Sequence, residues 1–259
     1  MSGRLADLSG PEVASAIGAD SVVLLPVGAI EQHGPHLPMS VDAVIADEVA
    51  SALLETVGDD IDLWLLPTLT VSKSNEHAWS PGTLWLSAGT MLRVLDDLAS
   101  CVATTSARRL VLLNAHGGNS SLLSVACRDI RVKHGLLTFL VHPWTPPASG
   151  GPSTEEELGM GIHGSRNETS VFAHLRPGEV DMSRAVRRVP EWLAENRWVR
   201  FGGPVQFGWT SRDFGPDGHI GDPTGADPEL GKKLFEDSVV ALADQLREIS
   251  RFDFPHDLT

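Results

Sequence analysis

The chain has 259 residues, 42% of them apolar, and a formal net charge of -14. That is enough apolar material for a sizeable core, and the acidic balance argues against nucleic acid or an anionic membrane surface as the main partner. No apolar run approaches the roughly 20 residues of a membrane span, and residues 1–7 lack the apolar core of a signal peptide, so a cytoplasmic protein is expected. Cys101 and Cys127 fall in helical patterns without zinc-finger spacing and are expected as buried free thiols. With 7 Trp and no Tyr, no tyrosine is available as a catalytic acid or substrate clamp.

In chain order, residues 9–18 predict a short helix opened by Ser9 and closed by Gly18. Residues 21–27 are apolar, rich in valine and followed by Gly28, which predicts a buried strand. The strand runs into Glu31-Gln32-His33-Gly34-Pro35-His36-Leu37-Pro38, with Asp42 close behind. In extended backbone Glu31 and His33 point the same way, and with Asp42 they can begin a metal site. The plainer alternative is a polar turn shaped by its Gly and Pro. Apolar spacing then predicts a helix over 42–57 and a strand over 61–66.

The polar stretch 71–83 carries Ser72, Glu76, His77 and Pro81-Gly82, either a pocket wall or an ordinary surface connection. A helix over 89–105 and a strand over 109–113 follow. That strand leads straight into Asn114-Ala115-His116-Gly117-Gly118-Asn119 and a helix over 120–134. Strand, Gly-rich turn and helix is the layout of an anion cradle, but the spacing is neither GxGxxG nor a P-loop. A strand over 136–141 ends at His142-Pro143-Trp144, and the Pro- and Gly-rich loop after it is too short for a domain linker. Glu155-Glu156-Glu157 is expected as a solvated acidic face. His163 and Glu168 stand before or on the first turn of another helix. Residues 176–200 are charged, are interrupted by Pro177 and Pro190, and receive no element. Residues 208–223 read as loop, and Asp227 caps a closing helix over 228–249.

Alternating strands and helices predict an α/β fold: a single three-layer α/β/α domain over residues 1–259 with a mostly parallel sheet. Ligands of such sheets bind beyond the carboxyl ends of the strands. Glu31 and His33, the 72–83 loop, His116 and His142 all follow strand ends, so separate polar clusters converge on one edge.

Four ordered motifs resemble the creatininase family of metal-dependent amidohydrolases, over roughly residues 20–235. They are Glu31–Pro38 with Asp42; Asn75-Glu76-His77 with Pro81-Gly82-Thr83; Asn114–Asn119; and His163 with Glu168-Thr169-Ser170. Gly221-Asp222-Pro223 also looks like the family's C-terminal loop. The resemblance implies two divalent ions, Zn, Mn or Fe, with Glu31 and His116 on one, His33 and Glu168 on the other, and Asp42 bridging. Two ions roughly 3.5–4 Å apart can share a hydroxide that attacks an amide carbon. His163 matches the family's catalytic histidine, which passes a proton to the leaving nitrogen, or else it braces a ligand by hydrogen bonding. Glu76 and His77 would be pocket residues or hydrogen-bond partners of ligands. Ser72, Trp144 and Trp209 are candidate pocket walls. Arg166 would pair a substrate carboxylate or phosphate, or else a structural acid.

Creatininase proper has Tyr-Glu after the metal-binding histidine, where this chain has Gly117-Gly118. It therefore looks more like the family's other branches: formamide-cleaving enzymes of flavin-type cofactor synthesis, peptidases trimming the mycofactocin precursor, and hydrolases of cyclic sugar ketones. The implied activity is cleavage of a C–N bond in a small amide, lactam or formamide, with peptide trimming as the alternative. A non-catalytic ligand-binding protein is the reading from another class. The resemblance also implies a homo-oligomer, a hexamer in most of the family.

Overall fold

The computed structural model describes residues 2–143 and 153–255. Among them, five strands form one parallel sheet in the order β1-β3-β2-β4-β5: Gly3–Arg4, Leu63–Leu65, Val22–Val27, Arg109–Asn114 and Leu137–Val141. The helices are α1 (Gly10–Ala16), α2 (Val41–Val57), α3 (Ala88–Val102), α4 (Ser120–His134), α5 (Arg166–Leu175), α6 (Glu191–Ala194) and α7 (Pro228–Arg251).

Successive strand residues face opposite sides, and the two cores follow that alternation. Val22, Leu24, Val111 and Leu113 pack with α2, α5 and α7 on one face. Val23, Leu25, Val27, Leu110 and Leu112 pack with α3 and α4 on the other. This is the expected three-layer α/β/α arrangement. β2 and β4 are buried on both sides, which is why they read as unbroken apolar runs.

Pro26 sits inside the central strand β2, where a proline normally removes a ladder hydrogen bond. Its carbonyl accepts from Leu69 N at 2.9 Å, so the missing N–H faces the same flank. β3 has already ended there at Leu65, ahead of Pro67, and no ladder partner asks for that donor.

Ser9 opens α1 with a capping box to Glu12, Asp227 caps α7, and α4 spans the expected residues 120–134. The two-residue edge strand β1 has no counterpart in the sequence reading, because it is too short to show a period. Within residues 176–200 the structure adds α6 and two single 3-10 turns. Both cysteines are free, but Cys101 is exposed and Cys127 only partly covered, a correction to their expected burial. No described helix is long and apolar enough to cross a membrane.

The chain leaves β2 for β3 on one side and returns to β4 on the other. The β2/β4 boundary is therefore the topological switch point, where a crevice opens beyond the strand ends.

Candidate metal centre

The end of β2 lies directly on the first turn of α2. A Cβ at Gly28 would fall 2.5 Å from the Ala43 Cα, so only glycine permits this approach. The approach sets Asp42, on the first turn of α2, beneath the 28–40 loop, where the helix N-terminus favours a carboxylate. Glu31 N donates to Met39 O at 2.9 Å and closes that loop, with Glu31 and His33 turned inward. β4 pairs Asn114 with Val27 of β2, which delivers His116 to the same place. Asn114 holds the turn, donating to His116 O at 2.8 Å and accepting from His116 N at 3.2 Å. Glu168 arrives on the first turn of α5, which Ser165 caps.

Asp42 stands between two imidazoles. Its Oδ1 is 3.3 Å from His33 Nε2, and its Oδ2 is 3.2 Å from His116 Nδ1. Glu31 Oε1 lies 3.3 Å from His116 Nδ1, and Glu168 Oε1 lies 3.9 Å from His33 Nε2. Ligand-capable atoms of Glu31, Asp42 and His116 fall within 4.8 Å of one another, as do those of His33, Asp42 and Glu168. The two triads share Asp42.

The residues fit a pair of divalent cations. Glu31 Oε1 and Asp42 Oδ2 are buried with no hydrogen-bond partner, a costly state for carboxylate oxygens unless a cation meets them. His33 Nδ1 faces the Glu31 carbonyl at 3.0 Å, and His116 Nε2 faces the Lys73 carbonyl at 3.2 Å. A carbonyl only accepts, so those nitrogens carry the protons, and His33 Nε2 and His116 Nδ1 point inward. Metal-binding imidazoles are held in this way. The mixed oxygen and nitrogen donor set suits Zn, Mn or Fe.

The electrostatics agree. Burial, reinforced by Asp42, raises the Glu31 carboxyl to about 8, against the pull of His116 and His33. Burial opposes charge on His33, yet Asp42, Glu168 and Glu31 overcome it and push the ring up to about 10. His116 is likewise raised well above the ordinary value, because Glu31, Asp42 and Glu76 outweigh its burial. Burial opposes charge on Asp42 too, but His33 and His116 hold it below the usual carboxylate range. The clustered acids draw protons onto the histidines, and bound cations would displace those protons.

Beside the triads stand His163, His77 and Gln32. His163 Nε2 donates to Gln32 O at 2.6 Å, so its Nδ1 carries the lone pair, 3.6 Å from Glu31 Oε1. Burial and the neighbouring His33 and His77 hold His163 well below its ordinary value, in the neutral form. His77 Nε2 lies 3.3 Å from Glu31 Oε1, and burial first, then His116, lowers its ring to about 3.

The other expected site residues are placed as follows. Glu76 Oε1 lies 3.4 Å from His116 Nε2, and its Oε2 accepts from Lys73 Nζ at 2.6 Å. Ser72 is wholly buried and braces loops, donating to Gly28 O at 2.6 Å and accepting from Asn119 Nδ2 at 3.0 Å. Arg166 lies over Gly225 with its Nε buried and unpartnered, and its main-chain N donates to Glu157 Oε1 at 3.1 Å. Trp209 packs edge-on against Phe201 and Phe214. Trp144 lies outside the described residues.

Three contributors were not singled out from sequence. Gln32 stood inside the first motif without a role. Ser74 donates to Glu31 Oε2. Glu157 corrects the solvated acidic face: it is buried, and Oε1 accepts from Arg166 N and from Asp222 N at 2.8 Å. It thus ties the start of α5, which bears Glu168, to the 222 loop. An acidic run gives no sign that one of its members turns inward.

Residues 6–246 match the family described as creatininase, creatinine amidohydrolase. A mycofactocin precursor peptide peptidase of Mycolicibacterium smegmatis is 31% identical over 229 residues, 87% of this chain and 84% of that protein. A creatinine amidohydrolase of Pseudomonas putida is 30% identical over 259 residues, 93% of this chain and 95% of that one. A solved mutant creatininase described as Zn–Zn type superimposes with a TM-score of 0.74 at 27% identity, covering 97% of this chain and 100% of that chain. Another solved creatininase is described as a Mn form. The match runs through every segment that bears a candidate ligand, and this chain belongs to the creatininase family, a hydrolase acting on amide bonds.

Proposed function

We propose that this hydrolase cleaves the C–N bond of a small amide, lactam or formamide at a dinuclear centre held by Glu31, His33, Asp42, His116 and Glu168. The observation that carries the reading is Asp42, whose two oxygens each face the inward nitrogen of a different histidine. Bound ions at such a centre supply Lewis acidity for the carbonyl oxygen and activate water at neutral pH. His163 is the proton carrier. Its Nε2 is committed to Gln32 O, so Nδ1 is the atom that takes a proton and returns it to the departing nitrogen. Buried walls around Glu31, His33 and His116 exclude bulk water and strengthen these interactions. Gly117-Gly118 and the absence of tyrosine point away from creatinine itself.

A second reading is peptide trimming, favoured by the 31% identical mycofactocin precursor peptidase. A cleft of about 520 Å3, lined by Trp79, Pro81, Arg212, Asp213, Gly215 and Pro216, would hold the rest of a peptide. Ser211 joins the cleft to the centre, accepting from Trp79 Nε1 at 2.7 Å and lying 3.4 Å from Gln32 Nε2.

The test is elemental analysis of dialysed protein after Mn or Zn reconstitution, then mass spectrometry on amides, formamides, lactams and peptides. About two ions per chain and chelator-sensitive cleavage are expected. No retained metal under either condition would overturn the reading in favour of a non-catalytic binding protein.

A further inference from the structure

Gly117 and Gly118 are adjacent, yet their surroundings differ. A Cβ at Gly117 would meet nothing within 4 Å. A Cβ at Gly118 would fall 1.7 Å from Glu76 Oε1 and 2.4 Å from His116 Nε2. The space a side chain would fill at 118 is taken up by the Glu76 carboxylate, from a different loop, and by the edge of the His116 ring.

That loop is tied down on several sides. Lys73 N donates to Asn119 Oδ1 at 3.2 Å, Lys73 O faces His116 Nε2 at 3.2 Å, and Ser211 Oγ donates to Glu76 O at 3.3 Å. Lys73 Nζ holds Glu76 Oε2 at 2.6 Å and leaves Oε1 turned to the outer nitrogen of His116. The chain of contacts runs from Lys73 through Glu76 to His116, and from His116 Nδ1 to Glu31 and Asp42.

We infer that Glu76 and Gly118 act as one unit: the bare Cα at 118 admits the Glu76 carboxylate to His116 Nε2, and that carboxylate, beside the Lys73 carbonyl that accepts from the same nitrogen, helps hold His116 to bind metal through Nδ1. Glu76 is thereby a positioning residue, rather than the substrate contact its place in a pocket loop suggests. A carboxylate on the outer nitrogen both orients the ring and raises its basicity toward a cation. A side chain at 118 and the Glu76 carboxylate in its present place exclude one another. The inference rests on the metal-centre reading.

The experiment compares Glu76→Gln, Glu76→Ala, Gly118→Ala, the Glu76→Ala/Gly118→Ala double variant and the control Gly117→Ala. Zn affinity is measured by chelator competition, beside the melting temperature of each metal-free protein. Glu76→Ala and Gly118→Ala should each weaken Zn binding about 10–100-fold. Glu76→Gln, which keeps an acceptor oxygen, should fall between Glu76→Ala and the parent, and Gly117→Ala should match the parent. Both disruptive changes act through one imidazole, so the double variant should be no weaker than the weaker single one. Parent-like affinity in Glu76→Ala, additive losses in the double variant, or equal losses in Gly117→Ala and Gly118→Ala would each overturn the coupling. A crystal structure of metal-free Gly118→Ala separates this inference from the metal reading. A Glu76 carboxylate still on His116 refutes the unit even if the parent binds no metal.

Discussion

Gln32 Nε2 stands 2.8 Å from His77 Nδ1, and the amide can be placed only that way round. Gln32 Oε1 accepts from Gly34 N at 2.9 Å, and Nε2 donates to Gly218 O at 2.9 Å, so the backbone fixes both ends. His77 Nδ1 must then accept, and its proton sits on Nε2, 3.3 Å from Glu31 Oε1 but not hydrogen-bonded to it. The main-chain carbonyl of Gln32 sets the tautomer of His163 in the same way. One residue thus fixes the protonation pattern of two histidines beside the centre. Gln32→Glu keeps the shape but removes both donors, and kcat should fall about 10–100-fold with metal content unchanged. Unchanged turnover would mean that the tautomer of His77 does not matter to the reaction.

Asp42 is the residue both triads share. Asp42→Asn should release most of the bound metal and lower kcat/KM by about three orders of magnitude, roughly 4 kcal/mol in the barrier. His163→Gln should lower kcat by about 100–10,000-fold while both ions stay bound. Elemental analysis beside steady-state kinetics distinguishes the two variants. Equal metal loss in both would remove His163 from the role of proton carrier and place it among the ligands, where its contacts with Glu31 and His33 also allow it to stand.

Ser72 offers a test of a different kind. Its hydroxyl joins Gly28 O to Asn119 Nδ2 in a fully buried position. Ser72→Ala leaves both groups short of a partner and should cost about 1–3 kcal/mol of stability. KM should stay near the parent value for any amide substrate. A raised KM with unchanged melting temperature would restore Ser72 to the pocket wall.

Much of this was legible in the chain itself. A valine-rich run in β2 announced a buried strand, and the 3.6-residue spacing of α2, α3 and α7 marked their inner faces. Glu31, His33 and Asp42 stood out as metal-ligating residue types clustered after a strand end, whereas His116 and Glu168 entered as ligands only through the resemblance to the creatininase family. What escaped was whatever depends on a loop closing on itself. Glu157 sits in a run of three glutamates, and only its backbone partners at Arg166 and Asp222 distinguish it from its neighbours. Ser72 and Glu76 stand four apart in one polar loop, yet one lies in the floor and the other against a ligand. Sequence spacing does not encode which way such a loop turns.

His36 gives a prediction in pH. It is buried, its Nε2 lies 2.9 Å from Thr169 Oγ1, and its ring meets His219 edge-on at 5.5 Å. Burial, then the neighbouring His219 and His33, lowers its folded value to about 3. In the unfolded chain an ordinary histidine titrates near about 6.5. Between those values the unfolded state binds a proton that the folded state refuses, so stability falls as pH drops through this window. At pH 4.5 the loss from this one residue approaches about 2–3 kcal/mol. The melting temperature of the metal-free protein should therefore drop from pH 7 to pH 4.5, and His36→Asn should flatten that slope. A slope identical in the variant would assign the acid sensitivity to other groups.

The candidate ligands come from segments far apart in the chain, and this bears on how the molecule opens. Glu168 begins α5, whose Val171 and Phe172 are buried in the same core as Val239 and Leu242 of α7. Asp42 begins α2, anchored on β2 by the contact at Gly28. Cations gripped by both carboxylates would act as a tether between the first third of the chain and its last helices, closing a long loop at a modest entropic cost. Without the tether, α5 and α7 would separate from the sheet at lower free energy than β2 and β4 separate from each other. Chelation should then speed amide hydrogen exchange in α5 and α7 while the central strands stay protected, so metal loss would first be felt as local opening far from the reacting atoms.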